Sequence, residues 1–352
     1  MVRVAVAGAS GYTGGELLRI LYMHGEAEVV YASSREYAGK PIHFAHPHLR
    51  GFYRGLVFQN LSIDSILKAD PDVTFLALPH GVGLDLPPSL LESGVRVVDL
   101  SANYRLKDPE SYRRWYGFEH PYPDLLSKAV YGLPELRRDE LRGAKLIASP
   151  GCNATVTIIA AAPLVVGGLV DGLLVADVKA GSSEGGAQPS RGSHHPEREG
   201  AIRPYSIIGG HRHQAEVEQE LSRLSSSTIR VSMAAHAVSS VRGALASVHA
   251  VLKDRVGFDV VWRSYASMYG KERFVRLVHP RLTPRGLDVK YVVGSNYVDV
   301  TIGLDDSAGR VTAFAALDNL VKGAAGQAVQ AFNIALGFRE DEGLDMPPIH
   351  PV

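Results

Sequence analysis
The chain has 352 residues, 45% of them hydrophobic, with 37 Lys+Arg against 37 Asp+Glu. That length exceeds what one hydrophobic core ordinarily organises, so two domains are expected; the balanced charge excludes the global basic field of a nucleic-acid or anionic-membrane binder and leaves a small molecule or a local patch as partner. A single cysteine excludes an internal disulfide and a cysteine-based zinc site and points to a reducing, cytoplasmic compartment.

The opening MVRVAVAGASG meets glycine at once, unlike a signal peptide. VRVAVA (2–7) is an apolar run of strand length, and GGELLRILYMHG after it has helical spacing through Leu17, Leu18, Leu21 and Met23. Strand, glycine turn, helix is the order of a parallel α/β unit. Between them, GASGYTG places Gly8, Gly11 and Gly14 as GxxGxxG, enclosing Ser10, Tyr12 and Thr13. Gly8 permits the tight turn, Gly11 lets backbone N–H groups approach a diphosphate, and Gly14 allows close helix–strand packing. Further strands are expected at 28–33, 72–78, 95–100 and 145–149, making a doubly wound nucleotide-binding domain over 1–151. The second strand ends YASSREYAGK. Ser33, Ser34 and Arg35 supply donors and a positive charge where an NAD site usually has Asp or Glu, which suits the 2′-phosphate of NADP; a solvated loop with an incidental arginine is the competing account.

Cys152 follows Pro150-Gly151 and heads an apolar run, Ala154 to Val170, that Thr157, Pro163 and Gly167-Gly168 interrupt and that is short for a bilayer span. The cysteine is either a small buried hydrophobe or a thiol presented for chemistry. Beyond it the runs 173–180, 229–237, 244–253, 290–304 and 310–317 suggest a mixed or antiparallel sheet, with helices near 213–224 and 258–269 on one face. This second, catalytic and oligomerisation domain is expected over 152–317. The segment 318–352 begins with a helix to Leu336 whose apolar stripe is expected to pack back on the first domain, followed by an irregular proline-rich tail. The fold class is thus α/β, a Rossmann domain plus an α+β mixed-sheet domain. Two histidine-rich stretches (His43, His46, His48; His194, His195) lack a carboxylate or cysteine set at zinc spacing, so no metal is expected.

GASGYTGGELLRIL, SSREYAGK, HPHLRG, LALPHG, DLSANYRL, YGLPEL, SPGCNAT, GHRHQAEVEQE, GSN and LDNLVKGAAGQAVQ occur in one order over residues 1–338. Together they resemble the N-acetyl-glutamyl-phosphate reductase family of the aspartate-semialdehyde dehydrogenase superfamily. The resemblance implies NADP-dependent reduction of an acyl phosphate to an aldehyde through a cysteine thioester, in a homo-oligomer, dimer or tetramer. The residues agree with that chemistry. At a helix start, backbone N–H groups and the dipole favour a Cys152 thiolate that can attack an acyl carbon and expel phosphate. GGHRHQAE supplies an imidazole, which the resemblance places at His213, and its flanking Arg212 and glycine pair argue against a plain core histidine. On the substrate side the resemblance implies Arg105, His211 and Ser182; Gly181-Ser182 also lines the cofactor. Asn319 and Lys322 match nicotinamide-side contacts. A surface arginine and a helix N-cap are the competing accounts of Arg105 and Asn319. Where this family more often has Asp, the chain has Asn103.

Between Gly181 and His213 the chain carries SHHPER and IRPY, which ordinary arginine-pathway members lack, and it reads SPGCNAT rather than NPGCYPT. Both features resemble the archaeal and Thermus-type branch, which implies substrates borne on the acidic carrier protein LysW: aminoadipyl phosphate for lysine, glutamyl phosphate for arginine. Lys271 to Lys290, with six basic and two acidic residues, and Arg191, Arg198 and Arg203 could meet such a partner. The closest alternative is reduction of free N-acetyl-glutamyl phosphate; a different class is a nucleotide-sensing protein without catalysis.

Overall fold
A computed structural model describes residues 1–207, 210–281 and 286–352, which form two compact units, Met1–Pro150 with Ala324–Met346, and Gly151–Gly323 with Pro347–Val352. The segment read as 318–352 is therefore divided: 324–346 belong to the first unit, while 318–323 and the proline-rich end belong to the second.

The first unit begins β1 (Val2–Ala7), α1 (Tyr12–Tyr22), β2 (Ala27–Ala32), α2 (Ile63–Lys68), β3 (Val73–Leu76), α3 (Leu86–Glu92) and β4 (Arg96–Asp99). It continues through α4 (Pro109–Tyr116), α5 (Pro123–Lys128), β5 (Val130–Tyr131), α6 (Pro134–Leu141) and β6 (Leu146–Ala148). All six strands run parallel in the order β2-β1-β3-β4-β6-β5. Central strands such as β3, VTFL, are buried at every position, as a sheet covered on both faces requires. The strand order reverses between β1 and β3, so the glycine turn after β1 stands at the switch point where α/β sheets bind ligands.

The second unit comprises α7 (Cys152–Val166), β7 (Leu173–Ala180), α8 (His195–Arg198), β8 (Ile202–Tyr205), α9 (His213–Ser222) and β9 (Arg230–Val238). Then follow β10 (Ala244–Val251), α10 (Phe258–Tyr269), β11 (Val275–Leu277), β12 (Val298–Asp305) and β13 (Arg310–Leu317). Its sheet is mixed, in the order β11-β12-β13-β10-β7-β9-β8, with β11/β12 and β7/β9 parallel and the other pairs antiparallel. Helix α7 packs on β10 and β13, with α9 and α10 beside it on the same face. Pro163 cannot donate to the carbonyl of Ile159 within α7; Tyr269 Oη donates to it instead at 2.8 Å, and Tyr265 Oη serves the neighbouring Ala160 carbonyl at 2.6 Å. The opposite sheet face leaves Leu173, Val175 and Val251 exposed.

Three expectations change. The run 290–304 is strand only from Val298, because Gly294 takes a left-handed φ of 79° and Val289–Tyr291 forms a 3-10 turn. The short strands β5, β8 and β11 were not anticipated; β8 contains Pro204, which an edge strand tolerates because its outward side needs no N–H donor. Finally, the helix expected from Asp318 to Leu336 opens with a π turn over Val321–Ala325, Gly323 N donating to Asp318 O, before α11 (Gly326–Leu336), which packs with α1, α6 and β4 in the first unit.

Candidate active site
In the first unit the three glycines of the turn have separate reasons to be glycine. Gly8 has φ 77°, and a Cβ there would overlap the Ala77 carbonyl, its carbon only 2.9 Å away. A Cβ on Gly14 would fall 2.6 Å from Ala9 Cα, so the close approach of α1 to the turn depends on it. Gly11 is different: a Cβ would meet nothing nearer than Gly8 O at 3.9 Å. No atom of the described residues needs that space, and Gly11 is the N-cap of α1, which has neither a side-chain cap nor an acidic residue in its first turn. The backbone N–H groups of Tyr12 and Thr13 thus open a helix end suited to an anion, and the residues present fit a dinucleotide diphosphate.

Ser33, Ser34 and Arg35 end up beside this turn but divide the work. Both serines are buried. Ser33 Oγ accepts from Gly8 N at 3.0 Å and its backbone bonds Val6 O and Ala9 N, while Ser34 Oγ donates to Ser10 Oγ at 2.8 Å and accepts from Tyr37 N. They shape the turn, and Arg35 is left as the exposed cation next to it. His46, from one of the stretches considered for metal, is buried and kept neutral by burial; its Nε2 donates to Ala9 O at 2.7 Å over Gly15, where a Cβ would sit 2.5 Å from the ring.

Arg105, also in the first unit, is only 4% exposed, so the surface-arginine account fails. Its Nε donates to Ser149 O at 2.7 Å and its Nη2 to Leu100 O at 2.9 Å, tying the segment after β6 to the end of β4. Beside it, burial pushes the Asp99 carboxyl up to about 6, against the pull of two hydrogen bonds from Ser101 and the Arg105 charge. Asn103 accepts from Gly81 N and donates to Val82 O, two roles that a carboxylate could not combine.

In the second unit Cys152 is the first residue of α7, capped by Gly151 in an extended conformation. A Cβ on Gly151 would enter the His213 imidazole, 2.5 Å from Cε1, so glycine allows the ring to rest against the residue preceding the thiol. Glu216, one turn along α9 from His213 and fully buried, accepts from Gly151 N at 3.0 Å and holds Oε1 4.0 Å from His213 Nε2. A carboxylate there favours the imidazolium that proton transfer creates. On the other side, a Cβ on Gly323 would lie 2.7 Å from Cys152 Cβ, so the π turn presses directly on the cysteine.

The other sequence-singled residues take more structural places. His211 and His213 are both buried despite Arg212 and the adjacent glycines, of which Gly209 lies outside the described residues. Burial, with the Arg212 charge, lowers His211 to about 4, and its Nδ1 accepts from His213 N. Asn319 does not cap the last helix; Asp318 does, Oδ1 accepting from Leu320 N and Val321 N. The Asn319 amide accepts from Gly243 N and donates to Ser183 Oγ, neighbour of Ser182, at 2.9 Å. Lys322 is fully buried with Nζ 5.9 Å from the Phe274 ring centre.

With this geometry in place, comparison with known proteins becomes decisive. The family model "Semialdehyde dehydrogenase, NAD binding domain" matches residues 3–144 and "Semialdehyde dehydrogenase, dimerisation domain" residues 152–319. A protein of Sulfolobus acidocaldarius named LysW-L-2-aminoadipate/LysW-L-glutamate phosphate reductase is 58% identical and covers 100% of both chains; one of the same name from Saccharolobus solfataricus is 57% identical and covers 99% of each. The chain belongs to this phosphate reductase family. The fold has solved counterparts in Vibrio cholerae aspartate semialdehyde dehydrogenase II, with TM-score 0.71, 16% identity and coverage of 95% and 98%, and in the Candida albicans enzyme with NADP, with TM-score 0.70, 19% identity and the same coverage.

Sequence reasoning missed four side chains that hydrogen bonds link to the Gly151-Cys152 segment. Glu216 carried a usable signal, since a residue three positions after His213 on a helix shares its face. Asn153, Tyr205 and Glu184 carried none: Asn153 Nδ2 donates to Tyr205 Oη at 3.1 Å and Tyr205 Oη to Glu184 Oε2 at 2.7 Å, across separations of 52 and 21 residues.

Proposed function
We propose that this protein reduces a LysW-linked aminoadipyl or glutamyl acyl phosphate to the semialdehyde with NADPH, releasing phosphate. The reading is carried by one arrangement: a cysteine at the start of α7 with a carboxylate-braced imidazole resting on the residue before it. The relatives whose names state this substrate align over the whole chain.

Catalysis proceeds from that arrangement. His213 takes the Cys152 proton, and the α7 N-terminus and imidazolium hold the thiolate. Sγ attacks the acyl carbon; the carbon–oxygen bond to phosphate breaks, and a thioester remains. The Gly8–Gly14 turn would hold the diphosphate of NADPH and Arg35 its 2′-phosphate, and the cofactor when bound would supply the hydride that reduces the thioester to the hemithioacetal level. His213 protonates the new oxyanion and takes that proton back as the C–S bond breaks, releasing the aldehyde and the thiolate. Arg105 and His211 act by holding the segments on either side of Cys152 in the sequence, and Asn319 by holding the Ser182 loop.

A carrier needs a docking surface, and the structure narrows the basic candidates. Arg276 is committed to Asp299 at 2.6 Å and to Tyr291 O, and Arg198 and Arg203 donate to backbone carbonyls. Arg191, Lys271, Arg273, Arg281 and Lys290 are exposed, while Arg285 lies outside the described residues. These exposed cations form the proposed contact for acidic LysW. The open sheet face with Leu173, Val175 and Val251 is the proposed homo-oligomer surface. Among the described residues no helix is long and apolar enough to cross a membrane, and a cytoplasmic location is proposed from the presence of a single cysteine in the sequence.

The test is NADPH oxidation with carrier-linked and free acyl phosphates side by side. Turnover at least about tenfold higher on the carrier-linked substrate is expected, the size of one well-made contact; equal or better turnover of free N-acetyl-glutamyl phosphate would assign the protein to the alternative.

A further inference from the structure
Four side chains form a chain of hydrogen bonds that ends on the thiol. Cys152 Sγ donates to Asn153 Oδ1 at 3.6 Å, Asn153 Nδ2 to Tyr205 Oη at 3.1 Å, and Tyr205 Oη to Glu184 Oε2 at 2.7 Å. The direction of every bond follows from its far end. A carboxylate only accepts, so Tyr205 must donate to Glu184; its oxygen is then an acceptor for the Asn153 amide nitrogen; and the amide, held by that nitrogen, has only its carbonyl oxygen to offer Sγ. Asn153 is buried and has no solvent to satisfy an inverted amide.

We propose that Glu184 and Tyr205 are positioning residues that lock Asn153 with its carbonyl toward Cys152, so that the resting enzyme stores a protonated thiol until His213 removes the proton. The proposal rests on Cys152 being the nucleophile. A hydrogen bond accepted from S–H stabilises the neutral form, opposing the α7 N-terminus, which stabilises the thiolate. The same amide turned over would present N–H to sulfur and reverse the sign of its effect. Tyr205 reaches Asn153 from the edge strand β8, which IRPY forms, so the segment that set this chain apart in sequence is the one that delivers the lock.

The charged and titratable groups around the relay come from several elements. His213 and Glu216 stand on α9, and Arg198 on α8 and Arg212 before α9 favour the charged form of Glu184, whose burial opposes it. Burial and the Glu184 charge together keep Tyr205 protonated far beyond its usual range. Removing the Tyr205 hydroxyl leaves the Glu184 charge in place and so separates the relay from simple electrostatics.

The experiment is the rate of iodoacetamide alkylation against pH on the intact protein, in which Cys152 is the only cysteine. In Tyr205→Phe and Glu184→Met, folding being checked by thermal melting, the midpoint should move to lower pH, raising the rate at pH 7 by about three- to tenfold with an unchanged high-pH plateau. An unchanged midpoint in Tyr205→Phe, or a move to higher pH, would overturn the proposal. Wild-type turnover on the carrier-linked substrate tests the underlying reading separately, since alkylation needs neither substrate nor cofactor.

Discussion

The helices α1 and α7 begin alike, each after a strand and each capped by glycine without a side-chain cap, yet the surroundings of the two ends are opposite. At α1 the space around Gly11 is left open and no acid stands in the first turn. At α7 the chain fills the end itself, with the Glu216 carboxylate on Gly151 N, the His213 ring on the Gly151 Cα, and Gly323 against Cys152. A glycine-capped helix start therefore does not specify an anion site. What specifies it is whether the fold brings its own negative charge to those N–H groups. One end is left open by the chain; the other places the Cys152 side chain beside the residue on which an imidazole rests.

Three substitutions sharpen the contrast. Cys152→Ser should lower reductase turnover by at least about 10³-fold, while NADPH binding followed by cofactor fluorescence stays as in the wild type; loss of both together would break the division of labour between the two helix ends. Gly151→Ala drives a methyl into His213, and kcat should fall about a hundredfold from misplacement of the acid–base alone, with the KM for NADPH held. Arg35→Ala should act at the other end only, raising the KM for NADPH about tenfold, the worth of one charge-assisted contact, with little change for NADH. Equal effects on the two cofactors would remove the 2′-phosphate argument.

These contrasts also mark what could be read from residues alone. Glycine spacing made the α1 turn legible because Gly8 and Gly14 answer local backbone needs, and the resemblance with the helix start pointed to Cys152 and His213. Ser33 and Ser34 are expected from the sequence to offer donors to a ligand; in the structure their hydroxyls bond Gly8 N, Ser10 Oγ and Tyr37 N. The cap, offered as the competing account of Asn319, belongs to Asp318 one position earlier; the two are equally good capping residues, and only the fold decides which turns inward. The relay from Glu184 to Asn153 was illegible, since edge-strand pairing and not sequence spacing brings it together.

The His46 bond to Ala9 has a bearing on how the nucleotide turn comes into being. A strand–turn–helix unit looks self-sufficient, and a fragment ending at Ala32 would contain Gly8, Gly11 and Gly14 and both flanking elements. It would lack the ring that closes over Gly15 and the hydroxyls of Ser33 and Ser34 that hold Gly8 N and Ser10. In order of assembly, the hydrogen bonds of the turn are complete only when the chain beyond β2 has folded back.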